Sequence, residues 1–359
     1  MVKIYSVIEA TGIYIPERVM NNSKFHRHIF HNPDGSVMDK SPKEIVDKFQ
    51  EITDIESRRY VDDNLVNSEI ATYAALNALA TSRIDGETLD CIIVAHNFGD
   101  VKHKNRRTDM VPSLAARVKK GLEIDNPQCV ARDVIFGCPG WVQGVIDADY
   151  MIRSGRVRRV MVIGTEILSR ISDPHDRDSL LYADGAGATI FVGKESDRPI
   201  GILSHAVRSD TKDHSSMLTM GKSYNPNYSK NNLFLKMNGR KLYDYALRNV
   251  PKVVKESMEK AGLTLQDITK VLMHQANGKL DAAILERLFK LYKIEEIPEG
   301  VMPMTISWLG NSSVATIPTL LDLIWKGKLK GHALNHGDNI VLASVGAGMN
   351  INSIVYKMP

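Results

Sequence analysis

Short apolar runs rich in β-branched residues punctuate the chain: CIIVAHN from Cys91, RDVIFG from Arg132, RRVMVIGTE from Arg158, GATIFVG from Gly187, KVLMHQ from Lys270 and NIVLASVGAG from Asn339. Continuous runs of this kind read as strands buried on both faces. Between them lie longer stretches of helical period, Ser68 to Arg83, Gly140 to Arg153, Lys241 to Ala261 and Val314 to Lys326. Alternating buried strands and helices predict a layered α/β architecture.

The pattern also repeats. A helical stretch leads to CIIVAHN in the first half, and YDYALRNVPKVVKESMEKAGLTLQDIT leads to KVLMHQAN in the second, each strand closing on a histidine, His96 and His274. DVIFGC precedes a helix that ends near Gly155, before RRVMVIG, and TISWLGN precedes one that ends near Gly327, before NIVLASVG. Cys138 stands 17 residues before its glycine and Asn311 stands 16 before its own. The economical reading is two duplicated α/β halves, residues 1–195 and 196–359, dividing within the polar GKESDRPIG, Gly193 to Gly201. Cys138 and Asn311 then occupy equivalent strand-to-helix turns. Cys138, His274 and Asn311 all fall at carboxyl ends of strands, where ligands gather in such sheets.

Composition narrows the class. A chain of 359 residues, 43% hydrophobic and 25% charged, buries a sizeable core. A net charge of +4 is too mild to indicate nucleic acid. Three cysteines without a CxxC pair argue against a disulfide framework or structural zinc and suit a reducing cytoplasm. The N-terminus lacks the pattern of a secretion signal, and no apolar run is long enough to span a membrane.

Cys138, in DVIFGCPGWVQGV, precedes Pro139 at a predicted helix start, because proline suits the first helical position. A thiol there feels unpaired N–H groups and the helix dipole, so a lowered pKa and a nucleophilic thiolate are expected. A lone cysteine is otherwise more often a small buried hydrophobe, the reading kept for Cys91. His274 taken alone suits a structural strand end, and functionally a hydrogen bond to a substrate carbonyl or a proton from a thiol. Asn311 in LGNSSVATIP is most simply a helix N-cap, although its amide can also donate to an oxyanion. SVGAG, Ser344 to Gly348, is a tight turn that lets main-chain N–H groups approach a ligand. YADGAGATIF, Tyr182 to Phe191, reads as a close-packed structural turn without the lysine of a phosphate loop.

Taken in order, TGIYIPERVMNN, VPSLAARV, Cys138, YADGAGA, KMNGRKLYDYAL, HQAN, GNSSVATIP and GDNIVLASVGAGMN resemble the β-ketoacyl-acyl-carrier-protein synthase III group of condensing enzymes over most of the chain. The resemblance implies a thiolase-like fold, two halves in α-β-α-β-α layers, and a Cys138, His274, Asn311 triad. It implies an acyl group accepted on Cys138 from an acyl thioester, its oxyanion held by the N–H groups of Cys138 and Ala347. Decarboxylating condensation with malonyl-acyl carrier protein follows, at a homodimeric enzyme that needs no metal or organic cofactor. An acidic carrier protein calls for a basic rim. Lys279 stands where the family has an arginine at the tunnel mouth, and Arg153, Arg156, Arg158 and Arg159, with KHKNRR at Lys102 to Arg107, are further candidates. The same triad also serves transfer to a non-malonyl acceptor or thioester hydrolysis.

The chain departs from the family in several places. GCPGW replaces ACSGF around the nucleophile, and SVGAG lacks the phenylalanine of GFGGG. Val111 stands where many relatives carry phenylalanine. In EIVDKFQEITDIESRR the tryptophan that packs the adenine of coenzyme A is Lys48 and the arginine is Ile52. These changes favour a primer other than acetyl-CoA, delivered on a carrier protein.

Overall fold

The computed structural model describes residues 3–359. The first sheet contains β1 (Lys3–Tyr14), β2 (Cys91–Ala95), β3 (Val130–Val134), β4 (Arg159–Ile167) and β5 (Asp184–Ser196), in the order β1-β5-β4-β2-β3. β1, β5 and β4 pair antiparallel, while β4, β2 and β3 run parallel. The second contains β6 (Gly201–Ser209), β7 (Ile268–Met273), β8 (Asn339–Gly346) and β9 (Asn350–Lys357), in the order β6-β9-β8-β7. Strand sense repeats that of the first sheet, antiparallel through β6, β9 and β8, then parallel to β7.

Between the sheets lie two helices, α4 (Gly140–Arg153) and α8 (Thr316–Trp325). α8 is apolar nearly all round and α4 is buried over most of its length, which suits a layer covered on both sides. Trp141, Val142, Val145, Ile146 and Ile152 of α4 and Ile317, Leu320, Leu321 and Ile324 of α8 share one core with inward residues of both sheets. α2 (Asn67–Thr81) and α3 (Leu114–Gly121) cover the outer face of the first sheet. α5 (Gly239–Lys260) and α6 (Gly278–Leu291) cover that of the second. The result is five layers, α-β-α-β-α.

The repeat breaks at one element. Among the described residues the second sheet has four strands and not five, because TISWLGN forms the short helix α7 (Ile306–Leu309) rather than a strand. Asn311 therefore does not follow a strand. Its N–H donates to Leu181 O at 2.9 Å and its carbonyl accepts from Ala183 N–H at 2.8 Å, a single parallel bridge at Tyr182. YADGAGATIF, expected as a turn, is mostly β5, and its first residues hold Asn311 in place.

Candidate active site

α4 begins at Gly140 with Pro139 as its cap, so Cys138 lies just outside the helix and four residues beyond the last position of β3. The approach needs Gly137, whose φ of +66° favours glycine and whose missing side chain matters too. A Cβ there would lie 2.6 Å from Ala347 N. Across the gap, a Cβ on Gly346 would overlap Cys138 N and come within 2.7 Å of Pro139 Cδ. Two bare glycines thus let the main chain at Cys138 and at Ala347 meet.

A cavity of about 870 Å³ runs to this point. Cys138, His274, Asn311 and Ala347 all line it, so the structure brings the sequence-predicted set into one space. His274 follows β7 directly, and its N–H donates to Ala343 O at 2.8 Å. Gln275, next to it, donates to Pro303 O at 2.9 Å and accepts from Thr305 N–H at 2.8 Å. That clamp ties the histidine to the segment carrying Asn311. Asn311 Oδ1 accepts from Ser313 N–H at 2.8 Å, which fixes the amide and leaves Nδ2 as its donor group.

Burial decides the protonation states. It pushes the His274 imidazole down to about 4, with a main-chain contact from Ser313 acting the other way, so the ring is neutral near pH 7. It pushes the Cys138 thiol up to about 11, although Ser313 Oγ donates to Sγ at 3.3 Å. The lowered pKa expected from the helix start is therefore corrected. Burial is the largest cause, and the Glu166 charge adds to the rise against the hydrogen bond from Ser313. Cys91 is fully buried in β2 and its thiol is likewise pushed up to about 11.

Most of the lining is apolar: Phe49, Phe98, Ile135, Phe136, Leu168 and Met237 among others. Lysine and arginine gather along it as well, Lys40, Lys48, Arg177 and Arg240, of which only Lys48 was singled out from sequence, as the replacement of a tryptophan. Arg240 was visible in KMNGRKLYDYAL, but the order of residues carries no record of which face of α5 meets the cavity. Lys279 is exposed at the start of α6. Together with Lys48, the stronger influence, it holds the Glu51 carboxyl below its ordinary range, so it lies at the α1 (Pro42–Thr53) side of the opening.

Arg153 and Arg158 do not belong to this rim. They sit at the far end of α4 and just before β4, about 20 Å of helix from Cys138. Arg153 pairs with Asp149 at 2.9 Å and its guanidinium lies over Tyr5. In KHKNRR, Arg106 is spent on the carbonyls of Arg170 and Ser172. His96, the first-half counterpart of His274, lies outside the cavity lining and is paired with Asp133 at 2.9 Å. Asp133 in turn accepts the N–H groups of Leu114 and Ala115 at the start of α3. Among the described residues no group of three or more His, Cys, Asp or Glu is placed to hold a metal ion. No described helix is long and apolar enough to cross a membrane.

Comparison with known proteins bears on the family and the fold. Family models of 3-oxoacyl-[acyl-carrier-protein] synthase III and of its C-terminal part match residues 132–211 and 258–358. The beta-ketoacyl-[acyl-carrier-protein] synthase III 1 of Halalkalibacterium halodurans is 30% identical over 96% of both chains. That of Cereibacter sphaeroides is 30% identical over 99% of both. Among solved structures, the synthase III of Thermus thermophilus is 29% identical with a TM-score of 0.79, covering 98% of this chain and 99% of that one. The priming β-ketosynthase of the R1128 polyketide pathway is 25% identical with a TM-score of 0.80, covering 99% and 96%.

Proposed function

The chain belongs to the 3-oxoacyl-[acyl-carrier-protein] synthase III family, and from that premise we propose that Cys138 carries the acyl group in a decarboxylating condensation with malonyl-acyl carrier protein. One observation carries the assignment of residues: Cys138, His274 and Asn311 line a single cavity, where the backbone before Cys138 and that before Ala347 come into close approach. In the first half-reaction the Cys138 sulfur attacks the thioester carbonyl, a C–S bond forms, and the carrier thiol leaves with a proton. The two main-chain N–H groups hold the oxyanion of the tetrahedral intermediate.

In the second half-reaction malonyl thioester occupies the same cavity. The neutral His274 and the Asn311 Nδ2 donate to its thioester oxygen. When the C–C bond to the carboxylate breaks and CO₂ leaves, the electron pair becomes enolate charge on that oxygen, where the donors stabilise it. The carbanion attacks acyl-Cys138, and the thiolate departs as the β-ketoacyl chain forms.

The donor is a carrier-bound acyl chain other than acetyl-CoA. Support comes from the opening, where Lys48 and the 46% exposed Ile52 line the cavity at positions at which the family holds adenine. Neither offers a flat surface for a base, whereas Lys40, Lys48, Arg177, Arg240 and Lys279 suit an acidic carrier and its phosphate-bearing arm. Homodimerisation fits the outer edge of β3, which among the described residues has no strand beyond it and which begins with Val130 at 57% exposure and is followed by Ile135 at 56%.

The test is to incubate the purified chain with acyl-CoA and acyl-carrier donors, weigh the Cys138 peptide, then add malonyl-carrier. A carrier-derived adduct released only by malonyl-carrier as a β-ketoacyl chain is the expected result. Release by water alone would show a hydrolase, and faster loading from acetyl-CoA than from any other donor would overturn the donor assignment.

A further inference from the structure

Behind the sulfur lies a chain of polar groups that the reaction above does not use. Glu166, 1% exposed at the end of β4, accepts at Oε2 from both the main-chain N–H of Asn97 at 3.1 Å and its Nδ2 at 2.7 Å. Asn97 Nδ2 also lies 3.5 Å from Ser313 Oγ, and Ser313 Oγ lies 3.3 Å from Cys138 Sγ. The hydrogens in this chain have one consistent direction. An amide nitrogen has two, one for the carboxylate and one for the serine oxygen, so the serine hydroxyl hydrogen is directed at sulfur.

The backbone at Ser313 points the same way. Its φ is +53°, a left-handed conformation that glycine adopts freely and other residues adopt at a cost of about 1–2 kcal/mol. Asn311 Oδ1, which accepts the Ser313 N–H, holds it there. A side chain kept at a strained position, with its hydroxyl against the reacting atom, indicates a use for that hydroxyl.

Resting on the reading of Cys138 as the acylated thiol, we infer that Ser313 is a catalytic hydrogen-bond donor to the Cys138 sulfur, and that Asn97 and Glu166 are positioning residues that aim its hydroxyl. The two ends of the chain act on the thiol with opposite signs. The serine hydroxyl favours the thiolate, while the Glu166 charge disfavours it. Burial raises the Glu166 carboxyl to about 7, with His96 and Asn97 opposing and Asp184 adding to the rise. The brake on the thiol therefore strengthens as pH rises through neutrality. His96, Asp184, Asn97 and Cys138 are the groups that face this carboxyl.

The test needs no substrate. Full-length protein is alkylated with iodoacetamide from pH 6 to 10, and the Cys138 peptide is followed by mass. Ser313→Ala and Ser313→Gly should each slow alkylation at pH 8 about tenfold, the low end of what a hydrogen bond to a charged group contributes. The glycine variant suits the local backbone, so its loss of rate cannot be laid to misfolding. Asn97→Ala should slow the reaction similarly, and combining it with Ser313→Ala should add little. Glu166→Gln should do the reverse and speed alkylation above pH 7. Wild-type rates in both serine variants, or slowing by Glu166→Gln, would overturn the inference. Failure of Cys138 to take an acyl group, seen in the adduct experiment, would instead overturn the reading beneath it.

Discussion

At the scale of single residues, the site divides by step. Cys138→Ala should abolish the acyl adduct, since Cys91 and Cys129 are buried away from the cavity. His274→Ala and Asn311→Ala should keep the adduct yet lower condensation about 10²-fold each, the typical cost of one oxyanion donor. Single-turnover loading followed by product analysis separates the two effects. His274 also links stability to pH. Its pKa is about 4 folded against 6.5 as a free group, so the unfolded chain takes up the proton first as pH falls. Stability from this group is intact above about 6.5 and declines to about 4, by roughly 3 kcal/mol in all. Denaturant unfolding of His274→Gln should show a correspondingly flatter pH dependence over that window than wild type.

At the scale of elements, the site depends on two loops meeting at bare backbone. Gly346→Ala puts a methyl group onto Cys138 N and Pro139 Cδ, so β8 and the start of α4 must move apart. The expected cost is about 1–3 kcal/mol in thermal or denaturant unfolding, with acyl loading lost because the Ala347 N–H is displaced. Cys138 was legible from sequence because a proline–glycine pair at a helix start is a local signal. Asn97 and Glu166 were not, because one follows an ordinary strand, the other lies near the end of one, and only the pairing of β2 with β4 sets them beside each other. The same limit explains α7. TISWLG has the apolar content of a strand, but Asn311 is paired to Leu181 and Ala183 instead of to a neighbour in the second sheet.

At the scale of the molecule, the central layer makes the two halves one body. α4 and α8 share a single core with both sheets, so a cavity in that core is felt by each. Trp141→Ala, at 1% exposure, should cost about 3–5 kcal/mol and lower one cooperative transition rather than splitting it. Assembly is checked by light scattering, where twice the 40.0 kDa chain mass is expected. A charge introduced by Ile135→Asp beside the β3 edge should shift the protein toward monomer, since a buried unpaired carboxylate opposes association.

The order of residues by itself determined the layered α/β class and the repeated strand and helix grammar, and through its resemblance it nominated Cys138, His274 and Asn311. Periodicity and turn chemistry are local properties, and the motifs that bear the resemblance are short and contiguous. Tertiary structure alone decided the neutral state of the thiol, the removal of Arg153 and Arg158 from the rim, and the Glu166, Asn97 and Ser313 chain behind the sulfur. Burial and the distance between residues remote in sequence are sums over the whole packed chain, and no local window contains them.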